Sequence, residues 1–254
     1  MARFSLTLPL LCSLLLARPS VAVEDPAWIV LMGPKEMTGW RTPTGAWQPA
    51  GAVPLDPANP KQFKIQPGSG VFVNGPKGKT TNLITKDSFG DLEVHAEFCV
   101  PKGSNSGVKF HGVYEIQLFD SFKSTKKTSG SDCGGIYPRS LSLPKYHHID
   151  EGIAPKENAC LPPGEWQTLD MIFLAPKFDA AGKKTANARM LKVVLNGKLI
   201  HDNVEMKTAT GNNWDKLEHA TGPFLIQADH GPVAFRNVKL RPYQASIKAQ
   251  AETR

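Results

Sequence analysis

The sequence predicts an all-β protein, a jelly-roll β-sandwich of two antiparallel sheets. Three observations carry this. Several short stretches alternate apolar and polar residues with period two, the mark of a strand with one buried face. A chain of 254 residues with 22 Gly and 21 Pro is punctuated by turn signals at short intervals, as in sandwiches and barrels. Amphipathic helical segments are almost absent, which argues against mixed classes, and the length suits one large β domain.

The chain opens with Met1-Ala2-Arg3, runs apolar over 4–17 and reaches Ser20-Val21-Ala22. This predicts a signal peptide, 1–22, and a single domain over 23–243, exported to the periplasm or beyond the cell. Leu11 is too large for a lipoprotein cleavage site before Cys12. No other apolar run is long enough to span a bilayer, so no membrane association is expected after cleavage. Removing the leader takes away Arg3 and Arg18 and no acid, so the formal charge falls from +7 to +5. The cations are scattered and not clustered with aromatics, so no nucleic-acid partner is expected. Of the remaining cysteines, Cys133 and Cys160 lie in loop-like sequence and could bridge, and Cys99 at a strand end reads as a buried thiol. The odd count leaves the pairing open, and the oligomeric state is not legible.

Residues 24–59, with Trp28, Trp40 and Trp47, read as an ordered covering segment packed across the sandwich. Residues 63–65 and 70–73 read as strands around a turn at Pro67-Gly68, and 82–85 as another. Over 90–98 the sequence GDLEVHAEF places Leu92, Val94, Ala96 and Phe98 on one side and Glu93, His95 and Glu97 on the other. A turn follows at 101–107, then strand over 108–119. There Lys109, His111, Glu115 and Gln117 share a face, while Ile116 and Leu118 point the opposite way, provided Gly112 marks no bulge. The apolar set would fill the layer between the sheets. A sheet surface that gathers carboxylates, a lysine, histidines and an amide is costly to bury and reads as the floor of a wet cleft.

Residues 121–135 read as a polar loop able to lie over that cleft, 136–138 as a strand edge, and 141–160 as a long excursion carrying Tyr146, His147, His148 and Asp150. Loops of that length are functional or disordered. Residues 167–175 read as a strand with Leu169, Met171 and Phe173 inward. Asn196-Gly197, between 189–195 and 198–201, suits the type I′ turn of a hairpin. Strands over 224–228 and 233–240 close the domain, and 244–254 read as a polar tail.

The run GDLEVHAEF, NSGVKFHGVYEIQLFDS, CGGIYP, PPGEWQTLDMIF, APKFDAAGKK, VVLNGKLIHDN and GPFLIQADHGPVAFRNVKLRP resembles the 3-keto-disaccharide hydrolase domain family over most of 39–242. The resemblance implies a concanavalin A-like lectin/glucanase fold, a bacterial exported protein, and action on small sugars whose C3 hydroxyl has been oxidised to a ketone. At Lys109 and His111 the chain departs from the residues common in relatives, so fine specificity does not carry over.

A C3 ketone acidifies the proton on C2, so cleavage by elimination and hydration needs a base, an enolate stabiliser and a proton donor. On the polar face these fall to Glu115 as base, His111 or Glu97 as donor and Lys109 as stabiliser. Asn105, Gln117, Asp120, Tyr137, Gln227 and His230 are the candidates for holding the sugar. A divalent metal from loop His, Asp and Glu could stand in for Lys109. The same residues also have structural readings: Lys109 and Glu115 as an exposed cross-strand pair, Asp120-Ser121 as a turn cap, and Trp166 as core. His147 and His148, adjacent in an extended chain, point apart and chelate one ion poorly, and Arg236 would reach a carboxylate across the sheet. Three other functions compete. A retaining glucanase would use an E-x-D-x-x-E run, which Glu115 to Asp120 matches poorly because the middle acid is Gln117. A carbohydrate-binding module would bind without turnover, and an envelope interaction protein would leave the polar face unexplained.

Overall fold

A computed structural model describes residues 25–244, and among them every regular element is a β-strand. The leader expected over 1–22 and the tail residues 245–254 lie outside the described residues. In chain order the strands begin with β1 (Ile29–Met32), β2 (Gln48–Ala52), β3 (Leu55–Asp56), β4 (Asn59–Phe63), β5 (Gln66–Val73) and β6 (Leu83–Ile84). The middle of the chain gives β7 (Leu92–Cys99), β8 (Asn105–Phe110), β9 (Tyr114–Phe119), β10 (Ser140–Leu141) and β11 (His147–His148). The last third gives β12 (Gln167–Leu174), β13 (Lys177–Phe178), β14 (Lys184–Ala186), β15 (Ala188–Leu195), β16 (Lys198–Met206), β17 (Leu225–Ile226) and β18 (Ala234–Pro242).

Two antiparallel sheets face each other as a jelly-roll sandwich. The larger runs β16-β15-β12-β7-β18-β5-β2, with β1 also on β18, and the smaller runs β6-β17-β8-β9. The alternation in β7 is realised as Leu92, Val94, Ala96 and Phe98 pointing inward, where they meet Leu169, Met171 and Phe173 of β12. From the small sheet Val108, Phe110, Tyr114, Ile116 and Leu118 fill the other half of the layer. Phe110 stacks on Phe173 with ring centres 4.7 Å apart and meets Phe224 edge-on at 5.7 Å, geometries that add to the area these rings bury.

Two local readings differ from the fold, and one that the sequence left open is answered. Pro67-Gly68 lies inside β5 instead of turning the chain, where the register against β2 is irregular, a bulge being one of the places a strand tolerates proline. The covering segment contributes β1 and β2 to the large sheet, so it extends the sandwich as well as packing on it. Cys133 and Cys160 are both buried, free thiols, not a disulfide. Burial pushes the Cys99 thiol up to about 12.

Asn196 and Gly197 join β15 to β16 with φ of 51° and 78°, the left-handed pair a type I′ turn demands. Gly197→Ala is therefore expected to cost about 1 kcal/mol through strain at positive φ, read as a lower urea midpoint with unchanged slope.

Candidate functional site

The site grows from the β8–β9 hairpin. Register sets Asn105 opposite Phe119, Gly107 opposite Gln117 and Lys109 opposite Glu115, so one face carries all six and the other face is core. Pairing stops at Phe110 and Tyr114, and the link between them passes through His111 and Gly112 at φ of 53° and 71°. That left-handed corner swings His111 off the polar face. Its imidazole packs edge-on against Phe173 and Tyr114, and its nitrogens meet the carbonyls of His219 at 3.2 Å and Gly90 at 3.3 Å. Burial pulls its pKa below the ordinary histidine value. His111 is thus a core histidine, and the expected donor role does not fit it.

Glu97 is also displaced from the expected cluster. Because β7 belongs to the large sheet, Glu93, His95 and Glu97 point to the outer face on the opposite side of the sandwich. There Glu97 pairs with the Arg236 guanidinium at 2.6 Å and with Asn237. Burial works against ionisation, but Asn237 and Arg236 prevail and hold the carboxyl below its usual range. Arg236 does reach a carboxylate across the sheet, and its guanidinium lies 4.2 Å from the ring of half-buried Trp166.

The remaining groups converge. A hollow of about 440 Å³ is lined by Asn105, Lys109, Glu115, Tyr137, Gln227 and His230, together with Tyr146 and Asn212. At its floor the Lys109 ammonium sits 2.9 Å from the Glu115 carboxylate. This is a cross-strand pair, but a buried one, with Glu115 only 3% exposed. Its side chain lies over Gly107, where a methyl group would come within 2.3 Å of Oε1, so glycine is needed there for close approach. Burial raises the Glu115 pKa and Lys109 opposes the rise, the pattern of desolvation outweighing an opposite charge.

Loops build the walls. The segment after the polar loop continues the sheet beyond β9, its amides and carbonyls bonding those of Glu115 and Gln117 (Tyr137 N to Glu115 O 3.1 Å, Gln117 N to Gly135 O 2.8 Å). Tyr137 is thereby fixed beside Glu115, and its hydroxyl bonds that of Tyr146 at 2.9 Å and His148 Nε2 at 3.1 Å. Burial, then Tyr146, raise the Tyr137 pKa, so the phenol keeps its proton. The β10–β11 loop that delivers Tyr146 and His148 is anchored at its base by Asp150, which accepts from Arg139 N at 3.0 Å and Nε at 2.6 Å. Burial opposes ionisation of Asp150, but Arg139 and the Gly152 amide hold its carboxyl below the ordinary range. Gln227 follows β17, its amide bonded to Gly107 O at 2.8 Å. His230 pairs with Asp229 at 2.6 Å on the rim.

A second hollow of about 560 Å³ shares Asn105 and Tyr137 with the first and continues over Gln117 and Asp120. The Asp120 carboxylate accepts from the amides of Gly103 (2.9 Å) and Phe122 (3.4 Å), as a turn cap would. Asn105 Oδ1 and Gln117 Oε1 are buried acceptors with no hydrogen-bond partner among the described residues. An unmet buried acceptor costs about 1–3 kcal/mol, and both belong to this one trough.

Sequence reasoning missed Tyr146 and Asn212 as lining residues. The length of the 141–160 excursion was the available signal for Tyr146, and nothing periodic marks Asn212. The residues present do not fit a divalent cation. Among the described residues no group of three His, Cys, Asp or Glu converges to hold one, and Glu115 faces an ammonium instead.

No curated protein matches the sequence. Among solved structures, a Parabacteroides distasonis protein assigned by name to the glycosyl hydrolases is 24% identical, with 89% of this chain and 94% of that chain covered and a TM-score of 0.61. A second Parabacteroides distasonis structure of the same description is 16% identical, covering 85% and 94%, at a TM-score of 0.49. The carbohydrate-binding module CBM66 from Bacillus subtilis is 13% identical, covering 82% and 99%, at 0.38. The first likeness shows a shared fold. The family model for the 3-keto-alpha-glucoside-1,2-lyase-like domain matches residues 27–241, nearly the whole described chain, and the chain belongs to that family.

Proposed function

We infer that this protein is a carbohydrate-active enzyme that cleaves the glycosidic bond of 3-keto-glycosides by elimination and hydration. The observation that carries the reading is the juxtaposition of the Lys109 ammonium and the Glu115 carboxylate, 2.9 Å apart on the floor of a hollow large enough for a sugar ring. In a 3-keto sugar the acidic C2 proton and the C3 oxygen sit on adjacent carbons. Base and cation must therefore be neighbours, as these two are.

Glu115 takes the C2 proton, and its raised basicity from burial suits that step. The electron pair passes to O3, where Lys109 meets the developing charge in a site shielded from bulk water. Collapse of the enolate re-forms the ketone, makes the C1–C2 double bond and breaks the C1–O bond. The departing oxygen takes a proton from Tyr137, which stands where the two hollows join and takes the donor role that His111 and Glu97 cannot fill. Water then adds to C1, giving a proton back to the Tyr137 phenolate, while Glu115 returns its proton to C2, so both groups regain their starting states. Asn105, Gln227 and His230 orient the hydroxyls.

The test is incubation of the mature protein with 3-keto-trehalose and with unoxidised trehalose, with chelator in parallel. Free glucose released only from the ketone supports the reading. If the ketone is left intact while sugars still bind, a carbohydrate-binding module takes its place. Tyr137→Phe should lower turnover of 3-keto-trehalose by about 10²-fold. An aryl 3-keto-glucoside, whose leaving group needs no proton, should lose far less; an equal loss on both would remove Tyr137 from the donor role.

A further inference from the structure

The polar side chains of β7 take no part in the hairpin site. They form a hollow of their own, about 370 Å³, on the outer face of the large sheet, across the sandwich from Lys109 and Glu115. Strand register builds its floor. Lys239, His95, Asp170 and Val194 make one row across β18, β7, β12 and β15. Two residues along, Arg241, Glu93, Ile172 and Lys192 make the next row, on the same face because side chains alternate. Four neighbouring strands span roughly 14 Å, room for more than one sugar ring.

The arginines of this face are paired. Arg236 holds Glu97 at 2.6 Å, and Arg241 holds Glu93 at 2.8 Å and Asp25 at 3.0 Å. Lys239, between them on β18, holds no carboxylate among the described residues and lies 4.8 Å from the Trp28 ring. Lys192 has neither ion pair nor hydrogen bond among the described residues. Between the two lysines His95 Nδ1 donates to Asp170 at 2.7 Å, and the Asp170 side chain stays 55% exposed. Half-buried Ile172 and Val194 add an apolar strip to the floor.

The chemistry of the occupant follows from these groups. With histidine counted neutral, Lys192, Lys239 and Arg241 balance Glu93, Asp170 and Asp25, so no net charge draws an anion or a cation. The lysines keep spare donors and Asp170 keeps spare acceptor capacity. Vicinal hydroxyls answer both, since each can give one hydrogen bond and accept another, and bonds to charged partners are the stronger kind. The apolar strip suits the C–H face of the same ring.

We propose that this hollow is a second, non-catalytic carbohydrate site, and that it takes a neutral, unoxidised glycan chain lying across β18, β7, β12 and β15. The site stands apart from the reaction proposed above: it needs no ketone and uses no group of the β8–β9 hairpin. It tethers the protein to a polymer and leaves the hairpin hollow open.

The test is calorimetric titration of the mature protein with maltopentaose, cellopentaose and laminaripentaose, with pentagalacturonate as the anionic control. At least one neutral chain is expected to bind with a dissociation constant of about 1 mM or tighter, and pentagalacturonate more weakly. Lys192→Met combined with Lys239→Met, and separately Asp170→Asn, should each weaken that binding about tenfold, roughly the worth of one hydrogen bond to a charged group. Glu115→Gln should leave it unchanged, and the double-lysine variant should keep wild-type turnover of 3-keto-trehalose. Binding of no neutral chain, tighter binding of pentagalacturonate, or unchanged affinity in both the lysine and the Asp170 variants would overturn the site. Chain binding without turnover of 3-keto-trehalose would sink the catalytic reading and spare this site. Turnover without chain binding would do the reverse.

Discussion

Glu115→Gln is expected to lower kcat for a 3-keto-glycoside by roughly 10²–10⁴-fold, the range for loss of a positioned general base. Substrate binding should change little. The substitution keeps the side-chain shape that fits over Gly107 and removes the one group whose basicity the mechanism needs. The amide still offers Oε1 to the Lys109 ammonium, so the hairpin keeps a partner across the strand pair. Cooperative thermal unfolding should therefore persist, and a collapse of activity beside an intact fold is the result that assigns the base. Turnover within a few-fold of wild type would remove Glu115 from the chemistry.

The hairpin that carries Glu115 was legible because period-two alternation reports which side chains share a face of one strand. It placed Lys109, Glu115 and Gln117 together and put Ile116 and Leu118 in the core. Alternation does not report which sheet a strand joins. Glu97 and His95 obey the same parity as Lys109, yet β7 hydrogen-bonds into the large sheet, and so their face looks out on the far side of the molecule. Nor does parity survive a left-handed corner. The positive φ at His111 and Gly112 ends the count, turning a residue expected on the polar face into core. The walls were the least legible part, because Tyr146 and Asn212 arrive from irregular segments whose position depends on long-range anchors. One such anchor is the Ser140 amide, which bonds Gly211 O at 3.0 Å and ties the start of the loop that carries Tyr146 to the segment that carries Asn212.

Lys109→Met is expected to have a twofold signature, because the lysine answers both for the enolate charge and for the buried carboxylate beside it. Loss of an oxyanion stabiliser lowers kcat by about 10²–10³-fold. Removing one partner of a buried pair leaves the other uncompensated, at a cost of about 3–5 kcal/mol when the survivor stays charged. Glu115 can escape that cost by taking up a proton, which sets the pH dependence. Burial already raises its folded pKa above the 4.5 of a free glutamate, and Lys109 is the leading influence that lowers it. Among the groups facing it, His230 lowers it less and Asp229 raises it. Without the lysine the folded pKa rises further, so the unfolded chain releases its proton first as pH increases. The folded state then holds more protons than the unfolded one, and stability falls with rising pH. The variant should thus come nearest to wild-type stability below about pH 4.5 and lose ground steadily as pH rises through the new folded value, each unit of added shift costing about 1.4 kcal/mol. Urea midpoints of the two proteins across pH 4–9 measure this. A constant gap between them at every pH would mean that Glu115 stays ionised without Lys109, and that the hollow is wetter than the buried pair implies.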